Sequence, residues 1–284
     1  MKTILFATTA LVASAGIAAA DISFSGSAQA GIANEEGVKT DIYSFADLKA
    51  NMSGESDNGI SFGASITISA GNEKYDIGDW EFDGSKDNTT SLGDVWIAAG
   101  GAKLAFEQED IDDLYEDDND SHDVQFSYSM GAISVDLTYD ANEDSEAASA
   151  TNAEYSYSLG YSANGLTASV VGNDLDDQMY VKASYAVNDM LTVGAKYDLG
   201  GGTAVTTVSV DYAANGFSAG IDVKDNDDWD LDLGYTAGAI SIAAETDESD
   251  AWEVTGAYDF GGGLSAVAGL NADDDYYLGV KMSF

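Results

Sequence analysis

Apolar and polar residues alternate one by one along most of this 284-residue chain, in segments of about 9 to 12 residues. Ile60, Phe62, Ala64, Ile66 and Ile68 interleave with Ser61, Gly63, Ser65, Thr67 and Ser69. Ile133, Val135, Leu137 and Tyr139 interleave with Ser134, Asp136, Thr138 and Asp140, and Trp229, Leu231, Leu233 and Tyr235 with Asp228, Asp230, Asp232 and Gly234. The last residues keep the rhythm, with Leu278, Val280, Met282 and Phe284 in one phase and Gly279, Lys281 and Ser283 in the other. Successive side chains of a strand point to opposite faces, so each segment reads as a strand with one greasy and one wet side. The charges keep to the wet side. Together the segments predict an all-β fold: a closed antiparallel transmembrane β-barrel with lipid outside and water inside.

The connections come in two alternating kinds. Gly131-Ala132, Asn164-Gly165, Asn188-Asp189, Asn215-Gly216, Gly238-Ala239 and Gly261-Gly262-Gly263 suit tight hairpins. Residues 72–90, 110–121, 141–150, 174–177, 225–227, 248–250 and 273–275 are mostly acidic. Short turns at one rim and longer polar loops at the other match periplasmic turns and extracellular loops. Counting segments from Asp21 to Phe284 yields 18 strands, the least distinct lying between Ser91 and Glu109. Ahead of them, Lys2, the apolar stretch Ile4 to Val12 and Ala18-Ala19-Ala20 read as a secretory signal peptide, residues 1–20, removed before Asp21. No linker interrupts 21–284, which reads as a single barrel domain.

Charge narrows the function. The chain holds 10 Lys, no Arg and 51 Asp and Glu, a formal net charge of −41, and such a field repels nucleic acid. A hydrophobic share of 45% is nonetheless too high for a disordered acidic chain. Without cysteine there is no disulfide scaffold and no thiolate chemistry. His122 is the only histidine and no G-x-S-x-G elbow accompanies it, so it reads as a strand-end residue and the chain as no enzyme. Gly200-Gly201-Gly202 lacks the Lys of a phosphate loop and reads as a turn. Trp80, Trp96, Trp229 and Trp252 fit aromatic girdles at the membrane interfaces. Lys49, Lys182, Lys196, Lys281, Asp47 and Asp136 fall in the wet phase and are candidate lumen-lining residues.

Four stretches carry a resemblance. The run Ile22-Ser23-Phe24-Ser25-Gly26-Ser27-Ala28-Gln29-Ala30-Gly31 is similar to the first strand of the general diffusion porins of alphaproteobacteria, the group that includes the Rhodobacter porins. Met52-Ser53-Gly54 with Asp57-Asn58-Gly59-Ile60-Ser61-Phe62-Gly63-Ala64-Ser65 resembles that family's second hairpin. Tyr258-Asp259-Phe260-Gly261-Gly262-Gly263-Leu264-Ser265 and Leu278 to Phe284 resemble its last strands, with Phe284 as the assembly signal. The resemblance implies a 16-stranded barrel, a homotrimer, insertion by the barrel-assembly machinery, and outer-membrane lipid and lipopolysaccharide as surroundings. It also implies a third extracellular loop folded into the pore. By position that loop is 110–121, whose acidic residues Asp110, Asp112, Asp113, Glu116, Asp117, Asp118 and Asp120 would form the constriction. The family sets such a loop against arginines on the wall. Here that wall stretch reads Tyr43, Phe45 and Asp47, a departure that removes the usual source of a transverse field.

The expectation is an outer-membrane diffusion porin whose water-filled channel prefers cations and passes small hydrophilic solutes and ions, with no cofactor required. The alternative is a secreted acidic calcium-binding β-protein, an adhesin or surface-layer component. Clustered Asp oxygens suit Ca2+, and the extracellular acidic loops keep that ion open under either reading, although Asp117-Asp118-Asn119-Asp120 lacks EF-hand spacing.

Overall fold

The computed structural model describes residues 21–34, 39–72, 88–115, 121–141, 153–175 and 178–284. The expected signal peptide, Trp80, Glu116 to Asp120 and most of 72–90 and 141–150 lie outside them. Eighteen strands run through the described residues: β1 (Asp21–Asn34), β2 (Asp41–Glu55), β3 (Ser61–Asn72), β4 (Thr89–Ala99), β5 (Ala102–Asp112), β6 (Ser121–Met130), β7 (Ile133–Tyr139), β8 (Tyr155–Ala163) and β9 (Leu166–Asn173). They continue as β10 (Met179–Asn188), β11 (Leu191–Asp198), β12 (Val205–Ala214), β13 (Phe217–Lys224), β14 (Trp229–Ala237), β15 (Ile240–Asp247), β16 (Trp252–Gly261), β17 (Leu264–Asn271) and β18 (Tyr276–Ser283). The count agrees with the segment reading and replaces the sixteen implied by resemblance.

Each strand pairs antiparallel with its chain neighbours, and β1 pairs with β18 as well as β2, so the sheet closes on itself. Closure matters because an open edge in hydrocarbon leaves N–H and C=O groups without partners at several kcal/mol each. The short turns collect at one rim. Asn164 and Gly165 (φ 53° and 79°) and Asn215 and Gly216 (φ 53° and 84°) have the paired left-handed conformation of a type I′ hairpin. A Cβ on Gly216 would stand 2.2 Å from the Thr236 carbonyl oxygen, so only glycine fits there.

The register shows which way each row faces. Ile22–Met52, Phe24–Ala50, Phe62–Ile97, Val135–Leu159, Ile221–Leu231 and Ala268–Leu278 are directly opposed pairs on one face. That face is exposed: Ile22, Phe24, Phe62, Ile97, Leu137, Leu159, Leu233 and Leu278 are each at least 44% accessible. Greasy side chains therefore point away from the axis. Leaving aside the loop-rim tips of β5 and β6 beyond Phe106 and Val124, no Asp, Glu or Lys falls in the outward rows of the described strands. One cation there at mid-depth would cost about 2–4 kcal/mol. Aromatics mark both ends of the band, with Tyr161, Tyr185, Tyr212, Phe217 and Tyr258 toward the turn rim and Tyr139, Tyr197, Trp252 and Tyr276 toward the loop rim, all exposed.

Trp96 corrects one expectation. Between Ala64–Val95 and Ile66–Leu92 the register of β3 and β4 slips by a residue, so β4 bulges at Gly93 and Asp94. The bulge reverses the phase. Val95 and Ile97 take the outward row and Trp96 turns inward, where a Cβ on the facing Gly63 would meet its ring at 2.7 Å. Trp229 and Trp252 stay outward, opposed to Val223 and Thr246.

Candidate functional site

The inward rows build the lumen wall from Ser, Thr, Gly and charged residues. Where β5 should meet the loop rim, its register with β6 passes from Phe106–Val124 to Ile111–His122, so three extra residues accumulate on β5. The chain then leaves the wall and turns into the barrel. Leu114 N donates to Ser156 Oγ of β8 at 2.9 Å, and Ser156 is itself bonded to Thr138 of β7. The Tyr115 hydroxyl donates at 2.7 Å to Asp198 Oδ1 of β11, and its ring lies 5.6 Å from that of Tyr180 on β10. All four wall residues belong to inward rows. The segment thus spans the inner face from β7 to β11.

Asp113 anchors it. This carboxylate is 2% exposed, accepts from Tyr115 N at 2.6 Å, and lies 3.5 Å from Asn173 Nδ2 and 3.9 Å from His122 Nε2. His122 is fully buried and neither ring nitrogen has a hydrogen-bond partner among the described residues. Of the acidic residues expected at a constriction, Asp113 is therefore a buried tether, Asp112 is exposed, and the side chain of Asp110 and all of Glu116, Asp117, Asp118 and Asp120 lie outside the described residues.

Gly200 completes the seat of Tyr115. A Cβ there would fall 1.8 Å from the phenol oxygen, while Gly200 N shares Asp198 Oδ1 at 2.9 Å. Tyr115→Phe should leave the barrel folded and loosen the inward segment by about 1.5–3 kcal/mol, the contribution of a hydrogen bond to a charged acceptor. The expected readout is a noisier open-channel current in bilayer recordings, with unchanged heat-modifiable mobility on gels.

The other lumen candidates scatter around the wall. Asp47, Lys49, Asp136, Lys182, Lys196 and Lys281 all stand in inward rows. Asp47 accepts a short hydrogen bond from Ser69. Lys196 pairs with Asp198 at 2.7 Å and sits 4.2 Å above the Tyr180 ring. Lys49, Lys182 and Lys281 make no ion pair among the described residues. Tyr43 and Phe45 face inward too, but they are buried, Tyr43 completely, and Tyr43 packs with Ala33, Val267 and Tyr277.

Sequence reasoning missed the densest charge among the described residues of the lumen. Asp232, Glu245 and Glu253 are directly opposed across β14, β15 and β16, and Asp211 joins the same level through Gly220. One level nearer the loop rim, Asp222, Asp230 and Asp247 are opposed across β13, β14 and β15. Seven carboxylates thus form two stacked arcs on five strands. Lys224 touches them, 3.5 Å from Asp230. Each is an ordinary wet-face residue in its own strand, and only the cross-strand register brings them side by side.

A family model described as Gram-negative porin matches residues 7–280. Among solved structures, a triple mutant of the Rhodopseudomonas blastica porin superposes with a TM-score of 0.55 and 18% identity, covering 93% of this chain and 100% of that one. A variant of OccD1 (OprD) superposes with a TM-score of 0.60 and 11% identity, covering 93% and 95%. At these identities the likeness shows a shared fold. No curated protein matches the chain.

Proposed function

Because the chain belongs to the Gram-negative porin family, we propose that it is an outer-membrane diffusion channel whose wet bore passes small hydrophilic solutes and ions with a preference for cations. The observation that carries the reading is the sorting of charge: short of the loop-rim tips of β5 and β6, the outward rows of the described strands hold none, and the inward rows hold the two carboxylate arcs. A secreted β-protein would need the apolar rows packed face to face in a dry interior, whereas Leu137, Leu233 and Leu278 are 46%, 48% and 55% exposed.

Cation preference follows from distance. At about 0.15 M salt, charge is screened beyond roughly 8 Å, but an ion in a narrowed bore stays within that range of the wall, and low-dielectric sides focus the field. The inward segment at Leu114 and Tyr115 narrows the bore on the β7 to β11 side, and the acidic stretch 110–120 would add negative charge beside it. Export through the leader 1–20, assembly as a homotrimer among lipid and lipopolysaccharide, and insertion guided by Phe284 complete the proposal. Calcium would bind in the extracellular acidic loops; among the described residues, no group of three or more His, Cys, Asp or Glu could hold a metal ion.

Reconstitution in a planar bilayer under a potassium chloride gradient tests this. Discrete ohmic steps with a reversal potential of cation-selective sign are expected. Absence of steps would remove the channel, and an anion-selective sign would remove the role given to the carboxylates.

A further inference from the structure

Water is shut out where the inward segment leaves the wall. Six of the eight buried polar or charged residues of the described chain meet there: Asp113, His122, Asp123, Thr138, Ser156 and Asn173. Five of them are partnered. Asp113 accepts from Tyr115 N and Asn173 Nδ2, Asp123 accepts from Ala141 N at 2.9 Å, Thr138 and Ser156 bond each other, and Asn173 also donates to Gln178 Oε1 at 2.9 Å. His122 is the exception, fully buried with neither Nδ1 nor Nε2 hydrogen-bonded among the described residues. Dry, unpaired nitrogens are costly to keep, and the one imidazole of the chain is kept in this place.

His122 Nε2 lies 3.9 Å from Asp113 Oδ2, too far for a hydrogen bond and within reach of one after a shift of about 1 Å. A neutral ring offers one donor and one acceptor, whereas an imidazolium offers two donors and a positive charge. Protonation therefore turns a ring with nothing to bind into a cation beside a buried carboxylate, where the low dielectric strengthens the attraction. The other titratable groups around the ring are also acidic. Asp123 follows it on β6, Asp112 stands across from Ser121 on β5, and Asp140 adjoins the Ala141 amide that holds Asp123 beyond the end of β7. Each of them favours the charged ring. Asp113 in turn accepts from Tyr115 N, so a pull on its carboxylate reaches the phenol that is bonded to Asp198.

We infer that His122 and Asp113 form a proton-operated latch that ties the inward segment to the barrel wall. The inference rests on the channel reading and adds to it a control of the narrowed bore by pH. The ion pair exists only with the ring protonated. Its hold on the segment is therefore full at low pH and is lost as pH rises through the range in which imidazoles titrate, ordinarily about 6.5. Acid tightens the narrowing, and alkali loosens it. Free carboxylates ordinarily titrate at about 4, so a response centred well above that range belongs to the ring.

The test is the open-channel current noise of the reconstituted full-length protein, recorded in potassium chloride between about pH 5 and 8. Noise should rise severalfold and reversibly as pH is raised across that window. His122→Phe should hold it at the alkaline level at every pH, and Asp113→Asn should do the same, with heat-modifiable mobility as the check that both variants fold. Because the chain has a single histidine, its ring resonances in the detergent-solubilised wild-type barrel are unambiguous, and they should titrate in step with the noise. That measurement stands even where a variant fails to fold. A pH response that survives in His122→Phe, ring resonances that do not change across the window, or noise in a conducting wild-type channel that stays flat or falls as pH rises would each overturn the latch. A preparation with no ohmic steps would instead overturn the channel reading.

Discussion

Gly31→Val should prevent the barrel from closing. Gly31 of β1 and Gly279 of β18 are directly opposed at the seam where the first and last strands meet. A Cβ on Gly31 would stand 2.4 Å from the Leu278 carbonyl oxygen, 2.6 Å from the Tyr43 hydroxyl and 2.7 Å from Gly279 Cα. Two of those three atoms are backbone of the partner strand and cannot swing aside. Gly279 is held reciprocally, with the Tyr43 hydroxyl at 2.2 Å and the Ala30 carbonyl oxygen at 2.6 Å from its own added Cβ. Overpacking typically costs about 1–3 kcal/mol, and this contact falls at the upper end because the obstructing atoms are backbone. Here the strain falls on the closing ladder, whose loss bares two strand edges to hydrocarbon. The expected result is disappearance of the compact, heat-modifiable form on gels together with loss of conductance. Tyr43→Ala in the same chain should rescue only part, because it relieves the hydroxyl and leaves both backbone contacts. A Gly31→Val protein with wild-type mobility and conductance would show that β1 and β18 meet differently.

Much of the fold was legible because a closed membrane sheet repeats one rule, and Ile133 to Tyr139 or Trp229 to Tyr235 obey it without interruption. The rule fails where a residue is inserted. Leu92 and Trp96 share a phase in the sequence, yet the bulge at Gly93 and Asp94 sends Leu92 to lipid and Trp96 to the lumen. The extra residues between Phe106 and Ile111 do the same to the end of β5, which is why the strands between Ser91 and Glu109 are the least distinct in the sequence. Its hairpin, Gly100 and Gly101 at φ 59° and 89°, carries the ordinary glycine signal of a tight turn. The lumen was less legible. A wet face says that Lys182 or Asp232 points inward, but which residues of other strands lie beside it depends on register, and register is set by turns and bulges spread over the whole circuit. Tyr115 is harder still. Its value lies in reaching Asp198, a residue 83 positions away, and a lone aromatic in an acidic loop carries no local sign of that.

Neutralising the lower carboxylate arc, by Asp232→Asn, Glu245→Gln and Glu253→Gln together, should reduce the cation preference severalfold while leaving the barrel at least as stable. Both halves follow from one geometry. Directly opposed residues lie about 5 Å apart, and two like charges at that distance repel by roughly 1–3 kcal/mol for effective dielectrics between water and a protein surface. The arc holds two such contacts, Asp232 with Glu245 and Glu245 with Glu253. Their removal relieves strain that nothing in a merely solvated face would justify. The same charges attract cations entering the bore, so their loss draws the permeability ratio toward unity. An ordinary solvated face makes a different forecast: thermal stability would rise by a similar amount and the reversal potential would hold. Asp273→Asn with Asp274→Asn, on the exposed loop between β17 and β18, removes two charges at the rim and should shift the reversal potential much less than the arc variant, since loop charges facing bulk salt are screened within a Debye length. Equal shifts from the two variants would mean that net charge at the mouth, rather than the arc on the wall, sets the selectivity.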